Sequence, residues 1–115
     1  MIRSLMRRLT SLAELEEALR TTPLLLVFKH SGLCGISTSA WREIAHLERL
    51  TPSLPILLLD VVEQRALARS VAAALDVRHE SPQVILVRDG TVIWHGSHFA
   101  VTTAAVLRQL ELAEE

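Results

Sequence analysis

The sequence predicts a single α/β domain, residues 1–115, in which helices flank a central mixed sheet of four to five strands. Two apolar runs, at 24–28 and 56–59, lack polar alternation, which is typical of strands buried on both faces. Segments with helical spacing of apolar residues separate the runs. Asp89 and Gly90 join two further apolar runs, and this pair favours the two-residue turn of an antiparallel hairpin.

Composition narrows the class of protein. Half of the residues are hydrophobic and 22% are charged, which is ordinary for a globular domain with its own core. The net charge of -1 gives no electrostatic reason to expect a nucleic acid or an anionic membrane as partner. No apolar run approaches the ~20 residues of a membrane span, and residues 1–8 lack the apolar core of a signal peptide. A lone cysteine forms no internal disulfide, so we expect a soluble cytoplasmic protein.

The first half of the chain reads as two helices and two strands, with a short strand expected before Ser11. A capping box from Ser11 to Glu14 opens the first helix, and Pro23 ends it. Its apolar positions share one face: Leu12, Leu15 and Leu19. The second helix is predicted over about residues 34–50, with four positions facing inward: Ala40, Trp41, Ile44 and Leu47. The strand at 56–59 is then parallel to the strand at 24–28, through a right-handed crossover.

The second half reads as helix, hairpin and helix. The third helix shows apolar spacing at Leu67, Val71, Ala74 and Leu75. After a break at Ser81 and Pro82, the strand at 84–87 turns back through the hairpin to the strand at 91–94. The last helix carries Val106, Leu107 and Leu110. A βαβ unit followed by ββα is the thioredoxin arrangement, so the sequence predicts a thioredoxin-like fold.

Cys34 is the candidate nucleophile because it follows a buried strand and begins a helix. Unpaired backbone N–H groups and the helix dipole stabilise an anion there. Such positions lower a thiol pKa from ~8.5 into the range ~3.5–7.5, and the thiolate is the reactive form. Ser37, one turn later, is placed to donate to the sulfur, and Lys29 and His30 add positive potential. The alternative reading, a small buried hydrophobe, is common for free cysteines.

Ser81 and Pro82 precede the third predicted strand. In a thioredoxin fold a cis-proline faces the reactive cysteine at this place, and the residue before it offers backbone groups to an extended substrate. We therefore predict that Ser81 and Pro82 bind substrate. A proline that simply enters a strand is the alternative, since proline cannot donate to the ladder.

His95 and His98 are separated by two residues, a His-x-x-His spacing that is compatible with a metal site. Two histidines do not make a site, and neither Asp60 nor Cys34 is an obvious third ligand, so no metal is expected. Two readings remain open: the histidines are ordinary surface residues, or they line the ligand groove at the end of the last strand.

Four short segments carry a family signal: FKHS at 28–31, CGIS at 34–37, HESPQ at 79–83 and WHGSH at 94–98. In their order and spacing the chain resembles the monothiol bacilliredoxins, the YtxJ-like branch of the thioredoxin-fold proteins. The resemblance extends over nearly the whole chain.

The resemblance implies a monothiol thiol-disulfide oxidoreductase whose co-substrate is bacillithiol, a low-molecular-weight thiol. Cys34 matches the reactive cysteine of the family and Pro82 its cis-proline. The implied partners are bacillithiolated client proteins and a low-molecular-weight thiol, and a monomer is expected. Bacillithiol carries a malate unit with two carboxylates, for which we expect donors among Lys29, Arg78, His95 and His98.

Gly35 departs from the family pattern, which most often has proline after the cysteine. The departure makes the motif resemble the Cys-Gly-Phe-Ser signature of monothiol glutaredoxins, some of which hold an iron-sulfur cluster between two subunits. An iron-sulfur carrier is therefore a second hypothesis, although the Gly-Gly-x-Asp segment of those proteins is not evident. A thioredoxin-fold binding module with an inert cysteine is a third.

Overall fold

The computed structural model describes residues 6–32 and 35–114. Its elements are β1 (Met6–Arg8), α1 (Leu12–Thr21), β2 (Leu24–His30), α2 (Gly35–Leu50), β3 (Ile56–Asp60), α3 (Arg65–Leu75), β4 (Gln83–Arg88), β5 (Thr91–Ser97), a 3-10 turn (His98–Ala100) and α4 (Thr103–Ala113). Within those residues, no helix has the length and hydrophobicity that crossing a bilayer would require.

The strands form one mixed sheet in the order β1-β3-β2-β4-β5. The strands β1, β3 and β2 are parallel to one another, β4 runs antiparallel to β2, and β5 runs antiparallel to β4. The β4–β5 turn has positive φ at both Asp89 and Gly90, as a two-residue hairpin turn of this sequence requires. The predicted α/β class, the mixed sheet and the order of the elements are confirmed.

Each face of the sheet carries a pair of helices over its own apolar core. Leu25 and Val27 of β2 pack with α1 and α3, whereas Leu26 and Phe28 pack with α2 and α4. Side chains along a strand alternate between faces, so a strand buried on both sides has to be apolar throughout. This explains the unbroken apolar run at 24–28.

The antiparallel pairing of β4 with β2 gathers the site at one edge of the sheet. The end of β2 lies beside the start of β4, and the start of β4 lies beside the end of β5. The turn from β2 into α2, which contains Cys34, leaves from the same edge.

Two side chains differ from the predicted pattern. Trp41 was expected to face inward, but 39% of it is exposed, while Ala40, Ile44 and Leu47 are buried. The reason is that Trp41 lies beside the last residue of β2, His30, where the sheet ends. Ala74 of α3 is exposed, one position away from buried Leu75.

The start of α1 shows the predicted cap with one change. Ser11 Oγ accepts from the Glu14 N–H at 3.2 Å, as a capping box requires. The Glu14 carboxylate, in return, accepts from the N–H of Thr10 at 2.9 Å. Two backbone donors at this helix start are therefore satisfied by side chains.

Replacing Ser11 by alanine should lower the free energy of unfolding by about 1 kcal/mol, because the Glu14 N–H loses its acceptor. Urea unfolding followed by circular dichroism measures the change. The control is Ser70→Ala on the exposed side of α3, for which we expect a change within about 0.5 kcal/mol. Equal effects of the two substitutions would contradict a capping role.

Candidate functional site

Three polar residues lie side by side at the edge of the sheet where the site is expected. Lys29 of β2 is opposite Gln83 of β4, and Gln83 is opposite Ser97 of β5. Lys29 and Gln83 are both buried. Buried polar groups require hydrogen-bond partners, so this row constrains how the three strands meet.

The row is joined by hydrogen bonds that run from the core outward. Lys29 Nζ donates to Gln83 Oε1 at 2.9 Å. The Gln83 amide nitrogen donates to Ser97 Oγ at 3.2 Å and to the Arg78 carbonyl at 3.0 Å. Lys29 was predicted to contact the ligand, but the structure turns its ammonium inward to Gln83. It supports the site through the start of β4.

Burial lowers the pKa of Lys29 to about 8, an effect that the charge of Glu80 partly opposes. Lys29 is the only lysine in the chain, which contains no tyrosine. All other basic side chains apart from the histidines are arginines. The only side-chain amine of the chain is therefore buried, and its burial makes it easier to deprotonate.

The Ser81–Pro82 peptide bond is cis, as predicted. The Pro82 carbonyl accepts from the His98 N–H at 2.8 Å, which ties the start of β4 to the turn after β5. Among the described residues, Ser81 Oγ is buried and has no hydrogen-bond partner. A buried hydroxyl without a partner is costly, and such groups often mark a place where a ligand contributes the missing contact.

Ser37 lies in the first turns of α2 and is buried. Its Oγ accepts from the Ser31 N–H at 3.3 Å, so Ser37 holds together the two sides of the turn that contains Cys34. Cys34 itself lies outside the residues that the structure describes, and so does any contact between Ser37 and its sulfur. Their predicted catalytic roles remain predictions.

Three aromatic rings lie on the α2 side of this turn. The His30 ring is 5.0 Å from that of Trp41, and the Phe28 ring is 5.7 Å from that of His30. A small cavity of about 160 Å³ opens between His30, Trp41 and Ser37. Burial lowers the pKa of His30, so its ring is neutral at physiological pH.

The two histidines after β5 have different surroundings. His98 borders a groove beside the first turns of α2, whereas His95 lines a separate cavity near the β4–β5 turn. The pKa of the nearby Glu80 is lowered first by a hydrogen bond from Ser97 and then by the charges of His98, Arg78 and His95. Only His98 therefore borders the α2 side, where a ligand on Cys34 is expected.

Within the ranges 6–32 and 35–114, no group of three or more histidine, cysteine, aspartate or glutamate side chains is arranged to hold a metal. Asp60 instead accepts from the N–H groups of Val62 and Glu63, which lowers its pKa and forms the turn before α3.

Sequence reasoning missed Gln83 and the exposed rings of Trp41 and Phe99. Gln83 carried one signal, a polar residue directly before a wholly apolar strand. The two aromatic residues carried none, because their exposure depends on where the sheet ends.

Comparison with known proteins supports a thiol-redox site. A family model described as monothiol bacilliredoxin BrxC matches residues 7–106. A solved structure described provisionally as an oxidoreductase with a thioredoxin fold has 26% identity and a TM-score of 0.83, with 96% of this chain and 95% of that chain covered.

Two more distant structures show the fold. Oxidised mitochondrial thioredoxin 3 from Saccharomyces cerevisiae has 19% identity and a TM-score of 0.74, covering 92% of this chain and 93% of its own. A thioredoxin variant from Halobacterium salinarum has 20% identity and a TM-score of 0.76, covering 96% of this chain and 91% of its own.

The burial of Lys29 predicts an unusual dependence of stability on pH. Its pKa is about 8 in the folded protein and close to 10.5 when unfolded, so the unfolded chain binds more protons between these values. The free energy of unfolding should therefore rise from pH 8 to pH 10.5, by an amount on the order of 2 kcal/mol. Urea unfolding in a Cys34→Ser background measures it without thiol titration.

Lys29→Met should remove this rise with pH. The matched control is Arg49→Lys, which adds an exposed lysine on α2 and should leave the rise unchanged, because an exposed amine titrates alike in both states. A flat profile in the parent protein would contradict the burial of a titrating amine.

Proposed function

The chain belongs to the monothiol bacilliredoxin family, and we propose that it removes bacillithiol from protein mixed disulfides through Cys34. The match of the family model over residues 7–106, a range that includes Cys34, carries the proposal. The thioredoxin fold and the oxidoreductase neighbour support thiol chemistry at this edge of the sheet.

The first step is a thiol-disulfide exchange. The Cys34 thiolate attacks the bacillithiol sulfur of the client's mixed disulfide, a new S–S bond forms, and the client thiolate leaves with the electron pair of the broken bond. The client thiolate then takes a proton from water. One disulfide replaces another, so this step needs no external oxidant or reductant.

The second step regenerates the enzyme. The chain has one cysteine, so Ser37 stands where a dithiol protein would place its resolving thiol. A second low-molecular-weight thiol or another redoxin, as its thiolate, attacks the bacillithiol sulfur and releases the Cys34 thiolate. The product that leaves is the disulfide between the attacking thiol and bacillithiol.

The edge of the sheet supplies the remaining parts. The cis bond before Pro82 and the tie from Pro82 to His98 fix the backbone next to Ser81, where an extended client segment would bind. The buried, unpartnered Ser81 hydroxyl offers that segment a hydrogen bond.

The direct test is mass spectrometry after exposure to oxidised bacillithiol. We expect one bacillithiol adduct on Cys34, and none in Cys34→Ser. We also expect the protein to release bacillithiol from a bacillithiolated client. An unmodified Cys34 that still reacts with small neutral disulfides would refute the proposed co-substrate.

Activation of the thiol has a separate test in Ser37→Ala. A hydrogen bond to the thiolate favours the charged form, so its loss should raise the Cys34 pKa by about one unit. The rate of iodoacetamide alkylation as a function of pH gives the pKa. Ser39→Ala, an exposed hydroxyl in the same helix, is the control and should leave the pKa unchanged. No change in Ser37→Ala would exclude the donor role.

An iron-sulfur carrier is the second candidate, and Gly35 is the observation that favours it. A side chain at position 35 would meet no described atom within 4 Å beyond its chain neighbours, so there is open space around this residue of α2. Anaerobic reconstitution with iron, sulfide and a small thiol would give a coloured dimer if a cluster binds. A colourless monomer would exclude this function.

A further inference from the structure

The proposed function requires a place for the rest of the small thiol once its sulfur is bound to Cys34. A groove of about 350 Å³ begins at Ile36, two residues after Cys34, and is bounded by α2 and the 3-10 turn. We call it the α2 groove, and its lining includes Ile36, Ala40, Arg42, Glu43, His98 and Phe99.

The groove follows one face of α2. Ile36, Ala40 and Glu43 are spaced as neighbours along a helix face, and Arg42 lies at the edge of this face. A helix rises ~1.5 Å per residue, so the backbone of Arg42 lies about 9 Å along the axis from Ile36. That distance suits a ligand of a few linked units whose sulfur is at the helix start.

One basic side chain of the groove, Arg42, is available to an anionic ligand. The Glu43 carboxylate already has a partner within the protein, because its Oε1 accepts from the Thr103 N–H at 3.1 Å where α4 begins. Within the described part of the chain, Arg42 forms neither a hydrogen bond nor an ion pair. A guanidinium with no protein partner is well suited to a carboxylate, which it can bind in bidentate geometry.

Phe99 lies at the rim of the groove with 80% of its surface exposed. A single exposed apolar residue is ordinary, but here the preceding residue, His98, has a left-handed φ of 54°. A left-handed φ is uncommon outside glycine, although histidine adopts it more often than most residues. The His98 N–H is held by the Pro82 carbonyl, so the ring position is tied to the cis-proline loop.

We infer that the α2 groove binds the carboxylate-bearing part of the small thiol, with Arg42 as the carboxylate partner and Phe99 as an apolar wall. The inference rests on the proposed function, since a malate unit carries two carboxylates. Recognition of the carboxylates is thereby assigned to α2. It is not assigned to His95, which lines a different cavity, or to Lys29, which is buried.

The test compares two substrates on one client protein. One client carries a bacillithiol mixed disulfide, and the other carries a cysteamine mixed disulfide, which has no carboxylate. Arg42→Ala should raise KM for the bacillithiol client about tenfold with kcat little changed, and should leave the cysteamine client unaffected. Phe99→Ala should act in the same direction with a smaller effect. Arg42→Lys should recover part of the loss.

Arg49→Ala removes an exposed arginine outside the groove and should match the parent on both clients. Equal losses on both clients in Arg42→Ala, or no loss on either, would overturn the inference and leave the proposed function standing. Parent protein that acts on the cysteamine client alone would overturn the proposed function and the inference with it. Thermal unfolding verifies that each variant is folded.

Discussion

A protonated amine buried in a protein requires hydrogen-bond acceptors, and Gln83 provides one for Lys29. The bond joins the end of β2 to the start of β4, directly after the cis-proline. Through its amide nitrogen, Gln83 also holds Ser97 at the end of β5. The hydrogen-bonded side chains of Lys29, Gln83 and Ser97 therefore fix the three strand ends around the site. The positions of Pro82 and His98 depend on these hydrogen bonds.

These hydrogen bonds contribute more to the positions of the strand ends than to the free energy of unfolding. Burying an ammonium group costs free energy, and one hydrogen bond to an amide returns only part of it. An apolar residue at position 29 would avoid that cost but would leave Gln83 without a donor. The site thus retains a destabilising group because that group specifies how the strands end, which is a known use of buried polar residues.

The sequence predicted the elements well because their causes are local. Ser11 and Glu14 cap a helix through neighbouring atoms, and Asp89 with Gly90 adopts the φ values of its turn without distant help. The site was predicted less well because its contacts join residues far apart in the chain. The Lys29–Gln83 bond spans 54 positions, and the exposure of Trp41 depends on where β2 ends. No local pattern encodes either one.

The single lysine has a consequence for the electrostatics of the whole molecule. Every other strongly basic side chain is an arginine, which stays charged far above physiological pH, and the chain contains no tyrosine. Lys29 is therefore the basic side chain whose charge is lost in mildly alkaline solution, because burial lowers its pKa to about 8. The charge that is lost lies inside the protein, whereas the arginines among the described residues are exposed and stay protonated, so the positive charge that a binding partner meets on the surface changes little with pH.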